Sequence, residues 1–100
     1  MHFNQHFNKR TIEAAIRVAL VMPNQDIMVN GNRSNNQLSF YYSKEEGKLY
    51  FNKVFRFTDE YDYQLIALFD ISSRVKAQTS PNRWINKVVD IALDEYKKTA

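Results

Sequence analysis

The sequence predicts an α+β domain: an antiparallel β-meander of three or four strands flanked by an N-terminal and a C-terminal helix, in the order α-β-β-β-α. Three observations predict it. Tyr61, Tyr63, Leu65, Ala67, Phe69 and Ile71 occupy alternate positions, a period of two that marks a strand with one buried face. Ten of the fourteen aromatic residues lie between Phe40 and Phe69, and strands favour aromatics. Apolar residues recur at helical spacing on both sides of this region, at 12–20 and 85–96.

Residues 1–8 are largely polar, with two Phe and two His, and read as a loosely held arm on a single domain spanning 1–100. The first helix follows. Asn8 or Thr11 can cap it, and Pro23 stops it near Met22. Ile12, Ala15, Ile16, Ala19 and Leu20 form its apolar face, and Arg10, Glu13 and Arg17 its wet side. Ala14, Val18 and Val21 widen the apolar surface, so the helix is expected to be buried on more than one side or shared with a second subunit. Asp26–Val29 suits a short strand, and the Asn-rich stretch 30–36, opened by Asn30-Gly31, suits a surface loop.

Leu38, Phe40 and Tyr42 alternate with polar or aromatic neighbours as the next strand. Lys44-Glu45-Glu46-Gly47 reads as a hairpin loop with Gly47 in the left-handed region. Leu49, Phe51, Phe55 and Phe57 share a face interrupted by Lys53, where a bulge or an edge position is expected. Thr58-Asp59-Glu60 turns into the strand at 61–71, whose odd positions are expected to face the core. After a basic loop at 72–80, Ser80 and Pro81 supply an N-cap and a first helical residue. Ile85, Val88, Val89, Ala92 and Tyr96 form the last stripe, widened by Trp84 and Ile91, with Lys97 and Lys98 at the dipole's negative end.

Residues 59–76 also admit a helix. In that reading, Ser-Pro-Asn-Arg-Trp-Ile-Asn-Lys-Val-Val-Asp-Ile-Ala-Leu (80–93) resembles the second helix of ribbon-helix-helix DNA-binding proteins. A helix would spread the apolar residues over nearly all sides, whereas a strand sorts them, so the strand is preferred. The order α-β-β-β-α also resembles that of double-stranded-RNA-binding domains, in which basic residues opening the last helix contact phosphates. That family's Lys-Lys-x-Ala-Lys run and Gly-Pro-x-His-type loop are absent, and no residue is carried over from it.

Composition limits the function classes. With 44% hydrophobic and 25% charged residues the chain is globular in type. It lacks cysteine, which excludes disulfides, thiolate metal sites and a Cys nucleophile. It holds no apolar run of about 18 residues and opens without a secretory h-region, so a cytoplasmic setting with no membrane contact is expected. Two glycines leave no phosphate-cradling loop. His2 and His6 could share a helix face, but no third metal ligand is suggested. Asp59, Glu60 and Asp62 read as a solvated turn. No catalytic residue, metal or cofactor is expected.

The expected function is therefore non-enzymatic binding. The net charge is +3, and no acid lies between Asp70 and Asp90, where Arg74, Lys76, Arg83 and Lys87 are found. With Arg33 as an auxiliary contact, these residues suit the phosphates of a nucleic acid at a helix N-terminus, and Trp84 could stack on a base. Solvated charges and a core Trp are the plainer readings of the same residues. The alternative is a protein-interaction module, such as a phage or mobile-element inhibitor or adaptor acting on a host protein. Its surface would be Tyr41, Tyr50, Val54, Ile66 and Leu68, on the off-core phase of their strands. That surface would be open if both helices cover one face, and closed if they cover both; it also allows a homodimer.

Overall fold

The computed structural model describes residues 2–3, 8–30, 37–57, 60–71 and 81–99. The elements are β1 (His2–Phe3), α1 (Lys9–Val21), β2 (Asp26–Asn30), β3 (Gln37–Ser43), β4 (Lys48–Phe57), β5 (Glu60–Asp70) and α2 (Pro81–Thr99). They build one sheet in chain order, β1-β2-β3-β4-β5. Strands β2 to β5 are an antiparallel meander, and β1 pairs in parallel, His2 opposite Met28 and Phe3 opposite Val29. The α+β layout read from the sequence is present, with Asp26–Asn30 as the fourth antiparallel strand. A helix over 59–76 is overturned, because Glu60–Asp70 pairs along its length with β4.

Local chemistry sets the element ends. Asn8 caps α1: its side chain accepts from the Thr11 N–H at 3.0 Å, and its own N–H donates to Thr11 Oγ1 at 2.9 Å. This reciprocal box satisfies two helix-end donors. Pro23 ends the helix, and Asn24 takes a φ of 63°, in a left-handed region that Asn tolerates. The Asn24 N–H donates to the Tyr42 carbonyl at 2.7 Å, and its Oδ1 accepts from the Lys44 N–H at 3.3 Å. The end of α1 is thereby tied to the β3–β4 hairpin. Gly47 in that hairpin has a φ of 66°, and its carbonyl accepts from the Ile71 N–H at 3.0 Å. α2 begins at Pro81, as its fixed φ favours; Ser80 lies outside the described residues.

Both helices pack on the same face of the sheet. Ile12, Ala15, Ile16 and Ala19 of α1 and Ile85, Val88, Val89, Ala92 and Tyr96 of α2 join Ile27, Val29, Leu38, Phe40, Leu49 and Phe51 in one core. Phe40 and Phe51 are directly opposite across β3 and β4, with ring centroids 4.5 Å apart and planes 2° from parallel. Trp84 is also buried there, so it is a core residue and presents no ring to a base. The helices touch each other, and Lys9 Nζ lies 3.2 Å from Asp90 Oδ1 in an exposed ion pair across them. Two stripe assignments need correction: Ile91 is half-exposed, and Val21 at the end of α1 is exposed, so the helices bury narrower faces than the sequence suggests.

The largest correction concerns β5. Ala67, Phe69 and Ile71 face the core side as expected, but Tyr63 is 48% exposed and Leu65 53% exposed. The cause is a β-bulge. Phe51 pairs with Ala67 and Asn52 pairs with Leu65, which leaves Ile66 as an extra residue between them. One extra residue exchanges the two faces for the rest of the strand. Tyr63 and Leu65 therefore share a face with Val54 and Asn52, whereas Gln64 shares the helix side with Lys53 and Leu38. The irregularity expected at Lys53 exists one position away, with the extra residue on the partner strand.

A candidate binding cleft on the uncovered sheet face

Cross-strand pairing fixes what stands on the side opposite the helices. One row reads Asp26, Tyr41, Tyr50, Leu68 from β2 to β5; the next reads Met28, Ser39, Asn52, Leu65; a third joins Gln37, Val54 and Tyr63. Among the described residues, no helix packs over these rows. The face is not flat. Tyr63 on β5 donates through its hydroxyl to Asp26 Oδ2 on β2 at 3.2 Å. Three strand spacings separate those strands, about 14 Å in a flat sheet. The bond therefore requires the sheet to coil over this face, and a bulge strengthens local twist. Ser39, in register between the two ends of the span, is fully buried and donates to Asp26 Oδ1 at 2.8 Å. Asp26 is thus held by two hydroxyls from different strands.

The coil shapes a shallow, widely open cleft of about 430 Å³ lined by Asp26, Tyr41, Ser43, Glu46, Tyr50, Asn52 and Tyr63. Tyr41 and Tyr50 meet edge to face, with centroids 6.3 Å apart and planes at 66°. The Tyr50 hydroxyl donates to Glu46 Oε2. This bond to a carboxylate, helped by partial loss of solvent and by the Glu46 charge, holds the Tyr50 phenol above its ordinary pKa of 10.0. The Glu46 N–H donates to Ser43 Oγ at 3.3 Å, so the hairpin turn fixes the carboxylate at the rim. Two carboxylates and no cation line the cleft among the described residues, although the chain as a whole is basic.

Of the residues named as a sheet-surface patch, Tyr41 and Tyr50 line the cleft and Leu68 lies beside them, 44% exposed. Two corrections apply. Val54 stands on this face but is buried, and Ile66, as the bulge residue, is half-buried against the core. Asp26, Ser43, Glu46, Asn52 and Tyr63 were missed. Glu46 reads in sequence as an ordinary turn charge, and Tyr63 has the wrong phase until the bulge is known. Among the basic residues, Lys87 is exposed on α2, in the layer opposite the cleft. Arg33, Arg74 and Lys76 lie outside the described residues, as does the side chain of Arg83 in the first turn of α2.

A second cavity of about 330 Å³ lies between the helices, lined by Lys9, Arg10, Glu13, Asn86, Val89 and Asp90. Its charges are mixed, and Lys9 and Asp90 already pair. Among the described residues, no three acidic or histidine side chains are grouped to hold a metal, and no helix is long and apolar enough to cross a membrane. His6 and the side chain of His2 lie outside the described residues. Comparison of the chain with protein-family models, with curated proteins and with solved structures finds no match.

Proposed function

We propose that this domain is a non-catalytic binding module that receives a protein partner on the uncovered face of its sheet. The observation that carries the reading is the bulge-driven placement of Tyr63 and Leu65 beside Tyr41, Tyr50 and Leu68. Exposed aromatic and aliphatic side chains standing together on one face are the composition of an interface centre. A compact two-layer domain with one free face suits an inhibitor or adaptor that acts by occupying a surface of its target, in keeping with a phage or mobile-element origin. Nucleic acid ranks second, because the charges in the cleft are carboxylates, which repel phosphate, and exposed Lys87 stands on the other layer.

The test is site-specific photo-crosslinking in an extract of the cell of origin. A photoreactive phenylalanine analogue at Leu68 is compared with one at Asn86 on the helical layer. Parallel titrations measure binding of DNA and RNA oligonucleotides at about 50 and 200 mM salt. The reading predicts a discrete protein adduct at 68 and none at 86. Equal labelling at both positions, or tight, steeply salt-dependent oligonucleotide binding with no adduct at 68, refutes it.

A further inference from the structure

Resting on the protein-partner reading above, we infer that the partner enters as an extended, basic segment that pairs with the outer edge of β5 and becomes the next strand of the sheet. β5 ends the strand order, and among the described residues no strand lies beyond it. The ladder to β4 shows which of its backbone groups are already bonded. The Ile71 N–H donates to the Gly47 carbonyl, so Ile71 turns its backbone toward β4. In an antiparallel pair, bonded and non-bonded positions alternate. Counted from Ile71, Phe69 and Ala67 are bonded positions, and past the bulge Asn52–Leu65 and Val54–Tyr63 are non-bonded pairs. The N–H and C=O groups of Tyr63 and Leu65, with those of Tyr61, therefore point off the edge. A row of this kind is a template for another strand.

Side chains and charge define the occupant. Asp62, Tyr63, Gln64 and Leu65 are all exposed, so neither face of this stretch is closed. Edge strands are commonly blunted by shortness, Lys or Pro, whereas β5 runs for 11 residues without Lys, Arg, Pro or Gly. The bulge at Ile66 limits the docking stretch, because it disrupts the row of outward groups there. β5 carries Glu60, Asp62 and Asp70. Lys53, opposite Gln64, lies over the Phe55 ring, 5.3 Å from its centroid. A second copy laid along this edge brings carboxylates toward carboxylates, which disfavours self-pairing. A segment with Lys or Arg at alternate positions meets them with opposite charge. Antiparallel pairing is the more stable arrangement, and residues directly opposite then share a face. The segment's apolar side chains fall beside Tyr63 and Leu65 on the open face, and its basic ones beside Asp62 and Gln64 on the helix side.

The probe is the peptide acetyl-Val-Lys-Val-Lys-Val-Lys-Val amide, titrated into the intact chain, with amide hydrogen exchange read by NMR. In the free chain Tyr63 and Leu65 are expected to exchange at least about tenfold faster than Asp62 and Gln64, whose N–H groups bond to β4. The peptide is expected to slow Tyr63 and Leu65 and to leave Asp62 and Gln64 unchanged. Replacing every Lys of the peptide by Glu is expected to weaken binding at least about tenfold. N-methylation of its valines, whose N–H groups face β5, is expected to abolish binding, and N-methylation of its lysines to leave it within about threefold. Asp62→Lys, an exposed change, is expected to weaken the Lys peptide about three- to tenfold and to strengthen the Glu peptide. The inference is overturned if Tyr63 and Leu65 already exchange slowly in the free chain, since the edge is then occupied by this chain or by a second copy. It is also overturned if the two methylated peptides bind alike, if the Glu peptide binds as well as the Lys peptide, or if the Lys peptide protects neither residue at about 1 mM. Leu65→Pro removes one outward N–H and no ladder bond, as an edge strand tolerates. A crosslink at position 68 that survives Leu65→Pro would refute strand addition while leaving the sheet-face reading standing; edge protection by the peptide with no adduct at 68 would do the reverse.

Discussion

Deleting Ile66 separates the bulge from every other feature of β5. In a regular strand, loss of one residue reverses the faces of everything beyond it. Applied to an unbulged β5, the deletion would turn Tyr63 and Leu65 over and drive Asp62 and Gln64 into the opposite phase, at a cost approaching the whole stability of a small domain. In the structure, Ile66 is the one residue without a partner, flanked by the Phe51–Ala67 and Asn52–Leu65 pairs. Its removal keeps all other pairs and leaves a continuous ladder. The losses are then local. Full burial of an Ile side chain contributes roughly 1.5–3 kcal/mol, and Ile66 is half-buried, so its share is about 1 kcal/mol. The Tyr63–Asp26 hydrogen bond depends on the coil, and its loss adds about 1 kcal/mol. The expected destabilisation is ~2 kcal/mol, read in urea as a midpoint lowered by about 1–2 M at a slope of ~1–2 kcal/mol/M. Far-ultraviolet circular dichroism should be retained, and the Tyr63 environment should change in near-ultraviolet circular dichroism. A deletion chain that fails to fold, while Ile66→Ala loses only ~1 kcal/mol, would refute the bulge-centred account of the strand.

Other expectations follow from the core, the cap and the cleft. Phe51→Ala removes a fully buried ring stacked on Phe40 and should cost about 3–5 kcal/mol in denaturant unfolding; a loss below 1 kcal/mol would deny the stack its place in the core. Asn8→Ala breaks the capping box of α1 and should cost about 1 kcal/mol, measured by thermal or urea melting. Because the phenol of Tyr50 is held above 10.0 in the folded chain, its contribution to stability is present below that pH and is lost as pH rises through the folded value. Glu46→Gln replaces the carboxylate that accepts the Tyr50 hydrogen bond and removes its charge, so spectrophotometric titration should show Tyr50 ionising earlier in the variant. No difference between the two titration curves would separate Tyr50 from Glu46.

The helices were legible because each carries its own signals. Asn8 and Thr11 sit three apart for the capping box, Pro23 stops α1, Pro81 opens α2, and the buried stripe of α2 runs at helical spacing. The hairpin at Gly47 was equally legible, since a glycine after three polar residues meets a backbone need that is local. The open face was legible in outline, through Tyr41, Tyr50 and Leu68. The cleft was not. Its carboxylates come from β2 and from the β3–β4 hairpin turn, twenty residues apart in sequence, and nothing near either one marks it as a partner of the other. Ile91 and Val21 looked like core because an apolar stripe does not declare its width; that depends on how closely α1 and α2 approach the sheet.

By itself the sequence determined that the middle of the chain is sheet, that helices flank it, and that Phe40 and Phe51 stand on the apolar phases of their strands. Those outcomes follow from period and capping, which act within a few residues. Only the tertiary structure decided which half of β5 faces inward. A period of two carries no information about an extra residue, because alternation reads the same before and after a bulge until a partner strand counts it. The register against β4 makes that count at Ile66, and with it moves Tyr63 out of the core and over Asp26, where the cleft is made.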